Sequence, residues 1–146
     1  RQPVYFHSEH RQLPWCREVW PVPRVEINPD DAREWGIEQS DWCWIESPHG
    51  KIREAADLFY GVPRGVINCE HTWWFPECPA PEYGWRYSAV NQLVNNSIDD
   101  PHCGSAIVRG YPVKVYKAEE GCPEGIIADA SDPRLKAWQP VYEGRA

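Results

Sequence analysis

The stretch Val25-Glu26-Ile27-Asn28-Pro29-Asp30-Asp31-Ala32, followed by Trp35-Gly36-Ile37 and Asp41-Trp42, decides the fold class. Val25–Ile27 is a short strand candidate that runs straight into Asn28, a good helix N-cap. Pro29 then fits the first helical position, where a missing N–H costs nothing. Asp30 and Asp31 favour the positive end of the helix, and Gly36 supplies the stop. The sequence therefore predicts a strand that hands directly over to a helix of about two turns.

Strands dominate on either side of this unit. Asp41–Ser47 and Lys51–Ala56 flank the Pro48-His49-Gly50 turn and predict a hairpin. Val62–Gly65 is a second turn, and Val66–Cys69 a fourth strand. Tyr111–Lys117 alternates well and reads as a closing strand, with Pro112 at its start. Residues 71–100 are aromatic and Asn-rich, with prolines at 76, 79 and 81. A stretch of that length without clear elements is functional or disordered, and its aromatic density argues against disorder. Upstream, residues 1–24 are rich in Arg, His, Trp and Pro without clean periodicity, which predicts an ordered loop rather than a helix. After Glu119 comes a Gly/Pro/acidic tail with one short helix candidate, Asp132–Trp138. The pattern is mainly β, and a small β-barrel with short helices and long ligand-binding loops fits it best.

With 146 residues and 42% hydrophobic content, one domain with a real core is expected. No apolar run approaches the roughly 20 residues a membrane helix needs. The formal charge is −7, unevenly spread. Residues 1–24 carry four arginines against two glutamates, which is +2 and leaves −9 for the rest. A basic arm on an acidic body suits an anionic ligand, while the acidic total argues against nonspecific nucleic-acid binding. The chain contains no methionine and starts at Arg1, as a segment of a longer polypeptide would. Six cysteines lack any C-x-x-C spacing, which removes zinc-ribbon and thioredoxin readings. They read as free thiols, with three disulfides as the alternative.

Six pieces in fixed order then carry a resemblance. The opening stretch is similar to the VEINPxDAxxxGIxxGDxV signature of the molybdopterin dinucleotide-binding domain of the dimethyl sulfoxide reductase family. Ser47–Ile52 resembles that family's hairpin turn, Gly61–Val66 its proline–glycine step, and His71-Thr72-Trp73-Trp74 its H-x-W-W loop. Asn91-Gln92-Leu93 with Asp100-Pro101 and Gly104 resembles its N-x-L…DP-x-x-G run, and Arg109–Lys117 its last strand. One departure is Ser8-Glu9-His10-Arg11, where many members open with a T-x-R-type motif. Leu13–Glu18 looks most similar to the branch with hydroxyl-transferring or dehydroxylating enzymes.

The resemblance implies a double-psi β-barrel over residues 1–118, with residues 1–24 as a cofactor-contacting arm and 119–146 as a tail. It implies molybdopterin guanine dinucleotide carrying molybdenum or tungsten as cofactor. It also implies partners in other domains of the same polypeptide and an iron–sulfur electron-transfer subunit. In the family the metal is held by the pterin dithiolenes, often with a side chain from another domain. No cysteine here is therefore assigned to metal, and the chain is not expected to be catalytic alone. The competing expectation is a stand-alone double-psi barrel that binds proteins as an adaptor or stacks sugars on tryptophan.

Such a cofactor needs cations or N–H groups for its pyrophosphates, a polar reader and a flat surface for guanine, and fixed donors and acceptors for pterin. The candidates are Ser8, His10, Arg11 and Arg17 as donors and Trp15 as a stacking face. His71 and Trp73 come from the H-x-W-W loop. Asn91 is both donor and acceptor for a base edge, and Arg109 is a cation before the last strand. Each has a structural alternative. Arg11 and Arg17 could pair with Glu9, Glu18 or the acidic body, His71 could be a satisfied core histidine, Asn91 a loop cap and Arg109 a solvated surface group. Trp73 and Trp74 cannot face the same side of an extended chain, so one is expected to fill core.

Overall fold

The computed structural model describes residues 4–95, 97, 100–104 and 110–137. Its frame is one five-stranded sheet ordered β4-β1-β3-β2-β5. The strands are β1 (Arg24–Ile27), β2 (Trp42–Ser47), β3 (Gly50–Leu58), β4 (Ile67–Cys69) and β5 (Lys114–Lys117). Only β1 and β3 are parallel; β1–β4, β2–β3 and β2–β5 are antiparallel. The architecture is mainly sheet, with three short helices among the described residues: α1 (Pro14–Val19), α2 (Pro29–Trp35) and α3 (Pro133–Ala137). Among the described residues the sheet is open and mixed.

The strand-to-helix unit forms as its residues dictate. The Asn28 side chain accepts from the Asp30 N–H at 3.0 Å, Pro29 opens α2, and Gly36 closes it at φ 69°. The amide of Asn28 also donates to the Val62 carbonyl at 2.8 Å, so the cap ties the helix to the turn before β4. The hairpin pairs Ser47 with Gly50. A Cβ on Gly50 would lie 2.5 Å from the Gln92 carbonyl oxygen, so close approach there demands glycine. Ser47 Oγ donates to the Leu93 carbonyl at 2.8 Å, which fastens the 3-10 turn Val90–Leu93 to the hairpin.

Apolar side chains cover the sheet in two clusters. Val25, Ile27, Ala32, Ile37, Cys43, Ile45, Ile52, Ala56 and Leu93 form one. Tyr5, Cys16, Val22, Trp42, Ala55, Trp73, Phe75, Ala118 and Ile126 form the other. Period-two alternation separates them along β2 and β3. By that alternation Glu54 stands in line with Ile52 and Ala56, a fully buried carboxyl where the pattern calls for an apolar residue.

Several expectations are corrected. Residues 14–19 form helix α1, not loop. Pro14 opens it without a side-chain cap, and its buried side consists of Pro14, Cys16 and Arg17. An arginine on the buried side hides the apolar periodicity. The closing strand is limited to Lys114–Lys117, because 111–113 make no ladder bonds and pack instead on the first cluster through Tyr111 and Val113. Residues 85–87 and 90–93 in the aromatic stretch form 3-10 turns. All six cysteines are thiols, and desolvation pushes Cys43 up to about 12.

Candidate cofactor-binding site

The sheet leaves a cavity of about 770 Å³ between β4 and the segment that leads into β5. Val66, Ile67, Asn68, Cys69, Glu70 and His71 line one side, and Gly110, Tyr111 and Val113 the other. Tyr5 and His7 from the arm, with Val90 and Leu93, complete it. The wall is mixed: apolar residues and tyrosines carry the area, and Glu70, His7, His71 and Asn68 bring polar groups together. Such a composition suits a flat polar ligand.

Beneath the wall lies a charged layer. The Arg11 guanidinium is fully buried, with its carbon 3.9 Å from the ring centres of both Tyr5 and Trp73. The two rings meet edge to face with centres 5.1 Å apart, and the cation lies beside both and is attracted by their quadrupoles. Its Nη2 donates to the His7 carbonyl at 3.0 Å, to Glu70 Oε1 at 3.4 Å and to the His71 carbonyl at 3.4 Å. Arg11 thus fastens the two histidine-bearing loops to each other. Desolvation lowers the Arg11 pKa and raises Glu70 to about 6, despite their mutual attraction. Glu54, behind them, accepts from the Glu70 N–H at 3.1 Å and is pushed well above the carboxylate range by burial.

The residues singled out from sequence divide sharply. His71 lines the cavity. Asn91 is exposed, but its neighbours Val90 and Leu93 are on the wall. Arg109 lies outside the described residues, directly before the wall residues Gly110 and Tyr111. Arg11, Arg17 and Trp73 are interior. Arg17 makes a two-pronged pair with Glu77 at 3.0 and 2.9 Å and donates to the Ile127 carbonyl at 3.0 Å. Trp73 is the core member of the tryptophan pair; Trp74 is half-buried and donates its indole N–H to the Ser8 carbonyl at 2.6 Å. His10 is exposed with Glu9 at 3.8 Å, Ser8 is half-buried, and Trp15 is 59% exposed. Sequence reasoning missed Tyr5, His7, Asn68, Glu70 and Tyr111. The one available signal was position, since Asn68 and Glu70 sit within three residues of His71 at a strand end.

Residues 1–111 match the family described as the "Molydopterin dinucleotide binding domain". The chain belongs to that family. A dopamine dehydroxylase from Eggerthella lenta is 58% identical over 159 residues, which cover 99% of this chain and 15% of that protein. An acetylene hydratase from Syntrophotalea acetylenica is 28% identical over 124 residues, covering 80% of this chain and 17% of the relative. In structure the chain is similar to acetylene hydratase from Pelobacter acetylenicus, with a TM-score of 0.75 and 25% identity over 81% of this chain and 17% of that one. The chain thus spans about a sixth of the length of these larger polypeptides. They belong with the dimethyl sulfoxide reductase family of molybdenum and tungsten enzymes, whose cofactor is molybdopterin guanine dinucleotide.

The residues present fit that cofactor. The cavity wall includes two tyrosines, a carboxylate, an amide and two imidazoles. Glu70 lines the cavity, while its Oε2 is buried with no hydrogen-bond partner. No group of three His, Cys, Asp or Glu suited to a metal occurs among the described residues.

Proposed function

We propose that this chain grips one side of a molybdopterin guanine dinucleotide in the cavity between β4 and Tyr111. The observation that carries this reading is the coincidence of a family match over residues 1–111 with a cavity walled by Glu70, His71, His7 and Tyr111. When bound, the cofactor supplies a redox-active metal held by its dithiolenes. The chain's own residues bind and orient it. His7 and His71 present imidazole N–H groups from loops that Arg11 holds, and Tyr5 and Tyr111 exclude water. Asn91 reads a base edge from the turn behind Val90, and Arg109 places a cation ahead of Gly110. Ser8, His10 and Trp15 extend the contact along the arm. Arg11, Arg17 and Trp73 act from beneath as positioning residues.

In this reading residues 1–118 form a double-psi barrel whose remaining seam is the cavity, and 119–146 form a tail. The packing of Tyr111 and Val113 on the same cluster as Ile67 and Cys69 supports closure at that seam. The partners are the other domains of the parent polypeptide and an iron–sulfur electron-transfer subunit. The relative named dopamine dehydroxylase suggests dehydroxylation as the parent's reaction. The test is to replace His71, Asn91 and Arg109 singly by alanine in the full-length enzyme and measure bound metal and releasable guanine nucleotide. Occupancy should fall for each. A wild-type enzyme that carries neither pterin nor guanine nucleotide refutes the reading.

A further inference from the structure

The layer beneath the cavity wall sets one arginine against two carboxyls, and the fold gives those carboxyls unequal freedom. Glu54 is fully buried on β3, the central strand of the sheet. Its Oε2 accepts the Glu70 N–H at 3.1 Å, and its Oε1 makes no bond. Glu70 follows β4, a strand at the sheet edge, and Arg11 holds it through one oxygen. The other ionisable groups around Glu54 bring no second cation into the layer. Burial raises the Cys69 thiol and pushes the Tyr111 phenol to about 12. Cys43, opposite Glu54 on β2, is raised to about 12 as well. On β1 the charged Arg24 and Glu26 stand in register with Ala55 and Asp57, on the opposite face. The 3-10 turns packed on β3 add Arg86, exposed and paired with Glu82, and Tyr87, edge-on to Phe75. Two ionised carboxylates against the one guanidinium would therefore leave a net negative charge in the interior, which is strongly unfavourable. With one proton the layer is neutral. Glu54 is the carboxyl that keeps it, since Arg11 bonds Glu70 instead and burial raises Glu54 well above the carboxylate range.

We propose that this proton on Glu54 latches the cavity wall: its loss frees Glu70 and, with it, the loop that carries His71. The proton leaves Oε1 for solvent, and two carboxylates then share one guanidinium. Glu54 cannot withdraw from the central strand. Glu70 can, because it stands past the end of an edge strand, beside His71 and on the wall itself. Its departure breaks the Arg11–Glu70 contact and loosens the bond from Arg11 to the His71 carbonyl. The latch belongs to this chain alone; its effect on ligand retention rests on the cofactor-binding reading above.

The test uses the full-length enzyme with Glu54→Gln, whose amide imitates the acid and cannot ionise, and with Glu70→Gln, which leaves Arg11 facing one carboxyl. Amide hydrogen exchange over residues 70–75 is taken as the ratio of wild type to Glu54→Gln at each pH, so that the intrinsic pH dependence cancels. The range runs from about pH 7, above the Glu70 value of about 6, to about pH 9. The ratio should rise by up to about tenfold per pH unit, as opening linked to one proton requires. Bound metal and guanine nucleotide after dialysis should fall over that range in wild type and stay constant in Glu54→Gln. Infrared difference spectra should show a protonated carboxyl in wild type at neutral pH that Glu54→Gln lacks. In Glu70→Gln that carboxyl should ionise at lower pH. A ratio flat with pH, or a wild type without the protonated carboxyl, overturns the latch. So does a loaded enzyme that keeps its cofactor equally in wild type and Glu54→Gln. Should Glu54→Gln not fold, equal ionisation of the carboxyl in wild type and Glu70→Gln overturns the latch and a lower value in Glu70→Gln supports it. A wild type without cofactor at every pH refutes the cofactor reading, and the exchange ratio then decides the latch by itself.

Discussion

Two arginines of the arm, six residues apart, meet glutamates about sixty residues downstream, and the two pairs are built differently. Arg17 and Glu77 close on each other: two prongs near 3 Å, a third bond to the Ile127 carbonyl, and the Ile127 N–H returning to Glu77 at 2.8 Å. Arg11 and Glu70 meet once, at 3.4 Å, and leave two arginine nitrogens and one carboxylate oxygen unbonded. Both arginines are fully buried. A buried pair with every bond made holds the fold in one arrangement. A buried pair with bonds left unmade carries the desolvation cost of its unsatisfied atoms.

The largest effect should come from breaking the closed pair. Glu77→Ala leaves Arg17 charged and buried, and should cost about 3–5 kcal/mol in denaturant unfolding. Glu70→Ala should cost less in the cofactor-free protein, roughly 1–3 kcal/mol, because Arg11 keeps two carbonyls and two rings. If the two substitutions cost the same, the distinction between closed and open pairs is lost.

The open pair should also titrate. Glu70 is raised to about 6, so the folded protein binds its proton more tightly than the unfolded chain. Its stabilisation is complete below about pH 4.5 and is lost as pH rises through about 6, by about 2 kcal/mol. Glu54 is raised in the same direction. Glu54→Gln, which imitates the protonated acid, should be more stable than wild type at pH 8, with the gap shrinking toward pH 4.5. A gap independent of pH would show that Glu54 is ionised in the fold. The smallest change is Tyr5→Phe, which removes the 2.8 Å bond to the Trp20 carbonyl but keeps the ring over Arg11. Thermal unfolding should register about 1 kcal/mol. A loss several times larger would assign the hydroxyl a part in the arginine layer.

How much was legible follows from the range of the interactions. Asn28, Pro29 and Gly36 act within one or two turns of chain, so α2 and its limits are written in adjacent residues. The hairpin is equally local, and His71 stands out because its motif marks a strand end. Helix α1 escaped notice because its buried side includes Arg17, an arginine made tolerable by Glu77 sixty residues away and by distant carbonyls such as that of Ile127. Glu70 escaped for the same reason: nothing beside it in sequence shows that Arg11 satisfies one oxygen and leaves the other open.

The sequence by itself determined the strand–helix–hairpin order, the mainly β class and the family, because these rest on short-range backbone preferences and on six motifs in fixed spacing. Only the tertiary structure decided which polar residues face a cavity and which are sealed in the core. Burial and hydrogen-bond closure depend on partners far along the chain, and for Arg11 and Arg17 those partners, not the arginines themselves, separate the open pair from the closed one.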